Sequence, residues 1–189
     1  MSVLESTFLR MFGRPTGMLG KLGGIIMARM NAPFAHCVIR LLDIQPGDKV
    51  LEIGFGPGVG IQLLAKSAPG GRVAGVDCSR EMVKQATARN AEAIERGVVD
   101  LRHGSVEKLP FEDSTFDAVV AINSMQVWPD VTAGLREARA RDQVWWPGCA
   151  GLHPVFRPVQ GRDSGTALGC WFRRRERGGD EARILRPGT

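Results

Sequence analysis

The residues best suited to chemistry in this 189-residue chain run from Glu52 to Gly60, in the order Glu-Ile-Gly-Phe-Gly-Pro-Gly-Val-Gly. One acidic residue precedes four glycines at alternate positions, an arrangement that lets bare backbone approach a ligand closely. The run joins a short apolar segment, 49–53, to a helix-compatible segment, 59–67. A loop between strand and helix also presents the positive end of the helix to a bound group. The motif therefore predicts a binding loop; a tight strand–helix turn without a ligand is the structural alternative.

The glycine spacing does not match the dinucleotide-binding fingerprint. That fingerprint, opened at Gly54, needs its third glycine where Val59 stands, and opened at Gly56 it needs one where Ile61 stands. What remains is acidic-x-Gly-x-Gly-x-Gly, beginning at Glu52. This pattern resembles the first motif of the class I S-adenosylmethionine (SAM) methyltransferases.

A second candidate group is the carboxylate of Asp77, which directly follows the strand-like segment 72–76 and stands 23 residues after Gly54. In open α/β sheets, ligands bind beyond the carboxyl ends of the strands. A carboxylate there can accept hydrogen bonds from both hydroxyls of a ribose. The alternative is that Asp77 only caps the next helix, although Ser79 is also available for that role.

The elements that must position these groups alternate between helix-like and strand-like patterns, which predicts an α/β domain with a doubly wound, mainly parallel sheet. We predict helices over 35–42, 59–67, 79–96 and 131–139, and strands over 49–53, 72–76, 98–101 and 116–122. Met82 has the helical spacing of a core residue. Ser105 follows the third strand and Asn123 the fourth, so both are expected at the same end of the sheet as Asp77.

Two further motifs make the resemblance specific. Gly75-Val-Asp-Cys-Ser79 and Leu109-Pro-Phe-Glu-Asp-Ser-Thr-Phe-Asp117 are similar to motifs of the ubiquinone/menaquinone-biosynthesis type (the type 11 branch) of class I methyltransferases. The similarity covers roughly residues 37–139. It implies a Rossmann-like fold, SAM as cofactor, and an enzyme that transfers a methyl group to a small or lipophilic acceptor.

The resemblance also implies roles for individual positions. The glycine loop and Phe55 would line the methionine and ribose of SAM, Cys78 would pack on the adenine, and Asn123 would face the methionine end. The family usually has Asp where this chain has Ser105, so a hydroxyl or a backbone acceptor would meet the adenine amino group, at a cost of about 1 kcal/mol. The full predicted cofactor set is Glu52, Gly54, Phe55, Gly56, Gly58, Asp77, Cys78, Ser105, Val106 and Asn123.

No catalytic residue is assigned, because SAM is already an activated methyl donor and the protein mainly aligns the acceptor and excludes water. His36 and His103 are the candidates for a general base, but a lone histidine is more often structural or exposed. The four cysteines are far apart and share no metal-binding spacing with a histidine. We therefore expect no metal site and a reducing, cytoplasmic setting.

The net charge of +5 is unevenly distributed. Residues 141–189 contain nine arginines and five acidic residues, so they supply four of the five net positive charges. The basic character therefore belongs to the tail, and we expect no nucleic-acid partner. The sequence has no apolar run of about 20 residues, which predicts a soluble protein.

We divide the chain into an N-terminal helical cap (1–34), a SAM-binding Rossmann-like domain (35–140) and an Arg/Pro/Gly-rich tail (141–189). The cap includes a short amphipathic helix over 4–12 and an apolar, weakly basic stretch over 18–30. It would cover the cofactor pocket or a sheet edge. The alternative is a surface that contacts an anionic membrane peripherally or admits a lipophilic substrate.

The tail departs from the family at Gln143-Val-Trp-Trp-Pro147, where the family has a Lys/Arg-Pro-Gly-Gly turn and a fifth strand. A forward shift of one base turns this run into Lys or Arg, one variable residue and a Gly-Gly pair that the tryptophan codons force. We therefore expect a frameshift near residue 140 and a sheet left incomplete, with an open edge, after its fourth strand. The alternatives to an active methyltransferase are a non-catalytic SAM-binding remnant and a nicotinamide-binding Rossmann enzyme.

Overall fold

A computed structural model describes residues 17–142, 157–160 and 167–174, which form one six-stranded sheet flanked by helices. The strands are Lys49–Ile53 (β1), Arg72–Asp77 (β2), Val99–His103 (β3), Ala118–Ile122 (β4), Arg157–Gln160 (β5) and Ala167–Arg174 (β6). The helices are Gly17–Leu42 (α1), Val59–Ser67 (α2), Arg80–Arg89 (α3), Ala91–Glu95 (α4) and Val131–Arg141 (α5), with a 3₁₀ turn at Met125–Val127.

The strand order is β3-β2-β1-β4-β6-β5, and the first four strands are mutually parallel. The chain moves outward from β1 through β2 to β3 and then returns to β4, on the other side of β1. The predicted doubly wound α/β fold is therefore confirmed. The reversal of direction between β1 and β4 creates a topological switch point, where open α/β sheets bind their ligands.

Helices cover both faces of the sheet because its strands are apolar on both faces. On one face, Val50 of β1 shares a core with Val38 of α1 and Leu64 of α2. On the other face, the neighbouring Leu51 shares a core with Ala138 of α5. Successive side chains of β1 thus point to opposite faces of the sheet.

Several predicted boundaries differ from the structure. The segment predicted as one helix, 79–96, is two helices that meet at Asn90, whose Nδ2 donates hydrogen bonds to the carbonyls of Gly58 and Ala86. These bonds explain the interruption, since a short amide side chain competes for backbone carbonyls. β3 extends to His103, and β4 begins two residues later than predicted, at Ala118.

Helix α1 is longer than expected. It is continuous from Gly17 to Leu42 and contains Pro33, whereas the sequence predicted a helix over 35–42 and an apolar, weakly basic stretch over 18–30. The amphipathic helix predicted over 4–12 lies outside the described residues. Among the helices that the structure describes, none is both long enough and apolar enough to span a membrane.

The expectation of an open edge on the fourth strand is wrong. β6 pairs antiparallel with β4, Val120 standing opposite Phe172, and β5 pairs antiparallel with β6. The reason is that an unpaired strand edge offers a row of backbone donors and acceptors that many sequences can satisfy. The tail sequence shows no clear alternation of apolar and polar residues, so these two strands could not be predicted from it.

Candidate functional site

A cavity of about 360 Å³ opens at the carboxyl ends of β1, β2 and β4, at the switch point of the sheet. Its lining includes every predicted cofactor residue except Gly58. The structure therefore brings together side chains separated by up to 71 residues in sequence, from Glu52 to Asn123.

The glycine loop forms the floor of the cavity. Gly54 has a φ of 73°, and a β-carbon at this position would lie 2.4 Å from the Cβ of Ser124. Gly56 has a φ of 53°, and a β-carbon there would meet no atom within 4 Å, because the position faces open space. Only glycine adopts these backbone angles at low cost. A side chain at Gly56 would extend into the space that a ligand would occupy.

Gly58 supports the loop from outside the cavity. It is the N-cap of α2, and a β-carbon there would lie 2.7 Å from the Cβ of Ala86 in α3. Arg89 Nε donates to the Pro57 carbonyl at 2.9 Å, and Asn90 Nδ2 donates to the Gly58 carbonyl at 3.1 Å. Helix α3 therefore holds the glycine loop in place, and the absence of a side chain at Gly58 permits this close packing.

The carboxylate of Asp77 is held by two backbone amides. Oδ2 accepts a hydrogen bond from Gly56 N at 2.9 Å, and Oδ1 accepts one from Ser79 N at 2.8 Å. Burial raises the pKa of Asp77, and the two amide hydrogen bonds and nearby His103 oppose that rise. Ser79 also caps α3 by accepting a hydrogen bond from Met82 N, so the alternative capping role belongs to Ser79. Asp77 therefore connects the end of β2 to the glycine loop, and it also lines the cavity.

Glu52 is buried beneath the loop. Burial, with a smaller repulsion from Asp77, raises its pKa to about 8. Within the described residues, its Oε2 is buried and has no hydrogen-bond partner. A buried carboxyl oxygen without a donor is costly unless a ligand supplies one. Glu52 is therefore poised to accept a hydrogen bond from something that enters the cavity.

Asn123 forms a second unsatisfied acceptor, just after β4. It has a φ of 50°, a conformation that asparagine tolerates better than most residues. Its Nδ2 donates to Oδ1 of Asn31 in α1 at 3.2 Å, whereas its Oδ1 is buried and has no partner in the described part of the chain. Its neighbour Ser124 donates from Oγ to the carbonyl of Ile53 at 2.7 Å, which ties this loop to the end of β1.

The opposite end of the cavity lies beside the loop after β3. Cys78 and Ser105 line it together with Val106, which is buried, and Glu107, whose exposed carboxylate the sequence analysis did not single out. Ser105 Oγ accepts a hydrogen bond from Glu107 N at 3.2 Å. His103 Nε2 donates to the Cys78 carbonyl at 3.0 Å.

Helix α1 supplies cavity residues that the sequence analysis missed. Met27, Asn31 and Ala35 line the cavity and follow one another at intervals of four residues. Residues at this spacing share one face of a helix, so the sequence indicates that they lie together but not that they face the cavity. The mouth is completed by Val127, Trp128 and Pro129 from the segment after β4. Neither His36 nor His103, the two candidates for a general base, is among the described lining residues.

The charge of the cavity wall restricts its ligand. Three carboxyl side chains line the cavity, those of Glu52, Asp77 and Glu107, and the described lining contains no lysine or arginine. No cluster of potential metal ligands occurs in the part of the chain that the structure describes. Because the pKa of Glu52 is about 8, its carboxyl group is mostly protonated at neutral pH, and a cationic group bound beside it would favour the ionised form. The wall therefore favours a ligand with positive charge and several hydrogen-bond donors, and it disfavours a phosphate-rich ligand.

Comparisons with known proteins point to one family. The profile described as "Methyltransferase domain" matches residues 50–141. An uncharacterized methyltransferase of Bacillus subtilis, YdaC, is 34% identical over 116 residues, which cover 61% of this chain and 62% of YdaC. A demethylmenaquinone methyltransferase of Bacillus cereus is 34% identical over 117 residues, which cover 61% of this chain and 49% of that protein.

A solved structure with a similar fold points to the same family. A Methanococcus maripaludis protein, provisionally identified as a SAM-dependent methyltransferase, is 25% identical and superposes with a TM-score of 0.56. The aligned part covers 65% of this chain and 59% of that protein. The chain thus spans about half to three fifths of the length of these relatives.

Proposed function

We propose that this protein transfers a methyl group from SAM to a small lipophilic acceptor, because residues 50–141 match the methyltransferase domain profile and the fold is similar to that of a SAM-dependent methyltransferase structure. The observation that carries this proposal is the cavity wall of three carboxyl groups without a basic residue in its described lining. SAM carries a sulfonium and an ammonium group, so this wall complements it electrostatically. A nicotinamide dinucleotide would place its anionic pyrophosphate against the same carboxylates, so we set that alternative aside.

The unsatisfied acceptors fit the donors of this cofactor. Asp77 accepts the ribose hydroxyls, using the lone pairs left after its two backbone hydrogen bonds. Glu52 and Asn123 lie on the β1 and β4 side of Asp77 and offer buried oxygens to the ammonium of the methionine part. Gly54, Phe55 and Gly56 line the path between these two ends. SAM supplies an activated methyl group when it is bound; the protein supplies alignment and exclusion of water.

The acceptor approaches through the mouth formed by α1 and the segment after β4. This part of the lining is mostly apolar, with Met27, Ala35, Val127 and Trp128. Val127 is 46% exposed, and the neighbouring surface of α1 presents Met30 at 63% exposure. Burial of such surfaces against a hydrophobic molecule is favourable. The B. cereus relative, named for a quinone substrate, supports a lipophilic acceptor of this kind.

The predicted division of the chain remains part of this proposal. Residues 1–34 act as a helical cap, 35–140 bind SAM, and 141–189 form an atypical tail. Helix α1 crosses the boundary at residue 34, so the cap and the SAM-binding domain share one continuous helix. The polar contact between Asn31 and Asn123 fixes this helix against the end of β4. We propose that α1 thereby closes the acceptor side of the site.

The first test is calorimetric titration of the folded chain with SAM, alongside Asp77→Ala. We expect micromolar binding that Asp77→Ala weakens by at least about tenfold, because two ribose hydrogen bonds are lost. A folded chain that does not bind SAM would contradict the proposal.

The second test follows labelled methyl transfer from SAM to a short-chain demethylmenaquinol, with a polar catechol as the contrasting acceptor. We expect methylation of the demethylmenaquinol. SAM binding without transfer to either acceptor would instead favour a non-catalytic SAM-binding remnant.

A further inference from the structure

The end of the cavity beside the loop after β3 contains a pair of side chains whose function the glycine motif does not explain. Ser105 and Glu107 both line the cavity there, two residues apart. The hydroxyl of Ser105 accepts a hydrogen bond from Glu107 N at 3.2 Å and donates one toward Glu107 Oε2 at 3.3 Å. The serine therefore orients the carboxylate, and its own hydrogen is directed away from a ligand.

The electrostatics of the cavity indicate which part of a nucleoside cofactor reaches this pair. Glu52 and Asn123, the buried acceptors without partners in the described residues, lie on the β1 and β4 side of Asp77 and suit an ammonium group. The ribose-binding position at Asp77 then leaves the base to extend the other way, toward Cys78 and Glu107. The buried side chain of Val106 provides an apolar surface for a flat ring at that end.

We propose that Glu107 reads the exocyclic amino group of adenine and that Ser105 is the positioning residue for its carboxylate. This inference rests on the proposed SAM-binding function. A carboxylate accepts a hydrogen bond from an amino group more strongly than a neutral hydroxyl does. The carboxylate that position 105 lacks is thus supplied two residues later, by Glu107. The same carboxylate repels the carbonyl oxygen of a 6-oxopurine, so Glu107 makes the site selective for adenosine over inosine.

The test compares the binding of two probes, S-adenosylhomocysteine and S-inosylhomocysteine, by calorimetry on the full chain. We expect the wild-type protein to prefer the adenosyl probe by about tenfold or more, since a site built around a donor rejects an analogue that lacks it. Glu107→Ala should lower the affinity for the adenosyl probe about tenfold, and it should leave the affinity for the inosyl probe unchanged or increase it. Glu95→Ala, which removes an exposed carboxylate of α4 that does not line the cavity, is the matched control.

The role of Ser105 is tested by the same ratio of affinities for the adenosyl and inosyl probes. Ser105→Ala should reduce the adenosyl preference by a smaller factor than Glu107→Ala, and Ser105→Thr should restore it because the hydroxyl is retained. An unchanged preference in Glu107→Ala, with adenosyl binding intact, would overturn the role of Glu107 alone. If the folded wild-type chain binds neither probe, the proposed SAM-binding function fails as well, so the two failures are distinguishable.

Discussion

The carboxylate of Glu52 lies in the space that a side chain at Gly60 would need. A β-carbon built on Gly60 would lie 2.3 Å from Oε1 of Glu52 and 2.6 Å from Oε2. Both residues line the cavity, one at the end of β1 and the other in the first turn of α2. The fourth glycine of the motif thus makes room for its acidic first residue.

This contact predicts that Gly60→Ala affects binding more than stability. An alanine would force the Glu52 carboxylate outward into the cavity, because the β-carbon and Oε1 cannot stay within 2.3 Å of each other. SAM affinity should fall about tenfold, equivalent to about 1.4 kcal/mol. The free energy of unfolding should change by less than about 1 kcal/mol, because alanine favours the helix and offsets part of the displacement. Calorimetry and urea denaturation measure the two quantities.

The control is a double-mutant cycle with Glu52→Ala. Glu52→Ala removes the three atoms nearest to a β-carbon at Gly60, so the second substitution should then leave SAM affinity unchanged. If Gly60→Ala weakens binding equally in both backgrounds, the contact with Glu52 is not the cause.

The raised pKa of Glu52 predicts that stability falls as the pH rises. Its pKa is about 8 in the folded protein, whereas the ordinary value for a glutamate side chain is 4.5, so the folded state holds an extra proton between those values. The unfolded state binds fewer protons in this window, and the free energy of unfolding therefore decreases with pH there, by at most about 1.4 kcal/mol per unit. Above about pH 8 Glu52 is ionised in both states, so its contribution to the free energy of unfolding no longer changes with pH. Asp77, whose pKa is also raised, adds to the trend in the same direction.

Glu52→Gln isolates the contribution of Glu52, since glutamine keeps the shape and does not titrate. Urea denaturation at several pH values should show the wild-type protein losing stability relative to this variant between about pH 5 and pH 8. Parallel stability curves for the two proteins across that range would show that Glu52 does not titrate as the structure indicates.

The left-handed backbone of Asn123 predicts a specific order of stability among its variants. Asn123→Ala and Asn123→Gly both lose the hydrogen bond to Asn31, but only alanine also places a β-carbon in an unfavourable conformation, at a φ of 50°. The alanine variant should therefore be less stable than the glycine variant by about 1 kcal/mol. Thermal denaturation of the two proteins measures the difference.

Ser114 provides the matched control for this prediction. It has a φ of 51° and is exposed, and it does not line the cavity. Alanine and glycine at position 114 should differ in stability by a similar amount. Only the variants at Asn123 should also weaken SAM binding, because they remove a buried acceptor from the site. Equal stability of Asn123→Ala and Asn123→Gly would contradict the interpretation.

The part of the site that the sequence predicted is the part built from local motifs. Glu52, the glycine loop and Asp77 stand at strand ends, and the carboxyl ends of parallel strands meet at one edge of a sheet. Their convergence follows from strand order once β1 and β2 are recognised as neighbours. The bounds of β1 and α2 were also predictable, because a buried apolar run and a glycine loop delimit them.

The parts that the sequence did not predict depend on tertiary contacts. Met27 and Asn31 reach the cavity only because α1 packs across the end of β4, and their pattern alone is equally typical of an ordinary apolar helix face. The interruption at Asn90 depends on the carbonyl of Gly58, 32 residues away. Glu107 was missed because an exposed acidic residue in a polar loop carries no signal until the loop is placed beside the cavity.

The tail begins where the similarity to the family ends. The family match ends at residue 141, and the chain is firmly integrated up to that point. The carbonyl of Arg141 accepts hydrogen bonds from Thr115 N at 2.9 Å and Phe116 N at 3.0 Å. Its guanidinium pairs with Glu137 at 3.0 Å and also with Asp113. The similarity to the family therefore stops immediately after a well-packed helix, as a shift of frame at this position would produce.

We predict that the gene in the source strain, resequenced across the codons for residues 136–160, carries a single-base shift just after the Arg141 codon. Restoring the frame should give Lys or Arg, one residue and Gly-Gly at positions 143–146, followed by an apolar strand. The restored chain should show a higher thermal midpoint than the present one, because a native fifth strand would bury more apolar surface beside β4. An intact gene that encodes the present tail, found also in closely related strains, would refute the frameshift, and the pairing of β6 with β4 would then be the evolved way of closing the sheet.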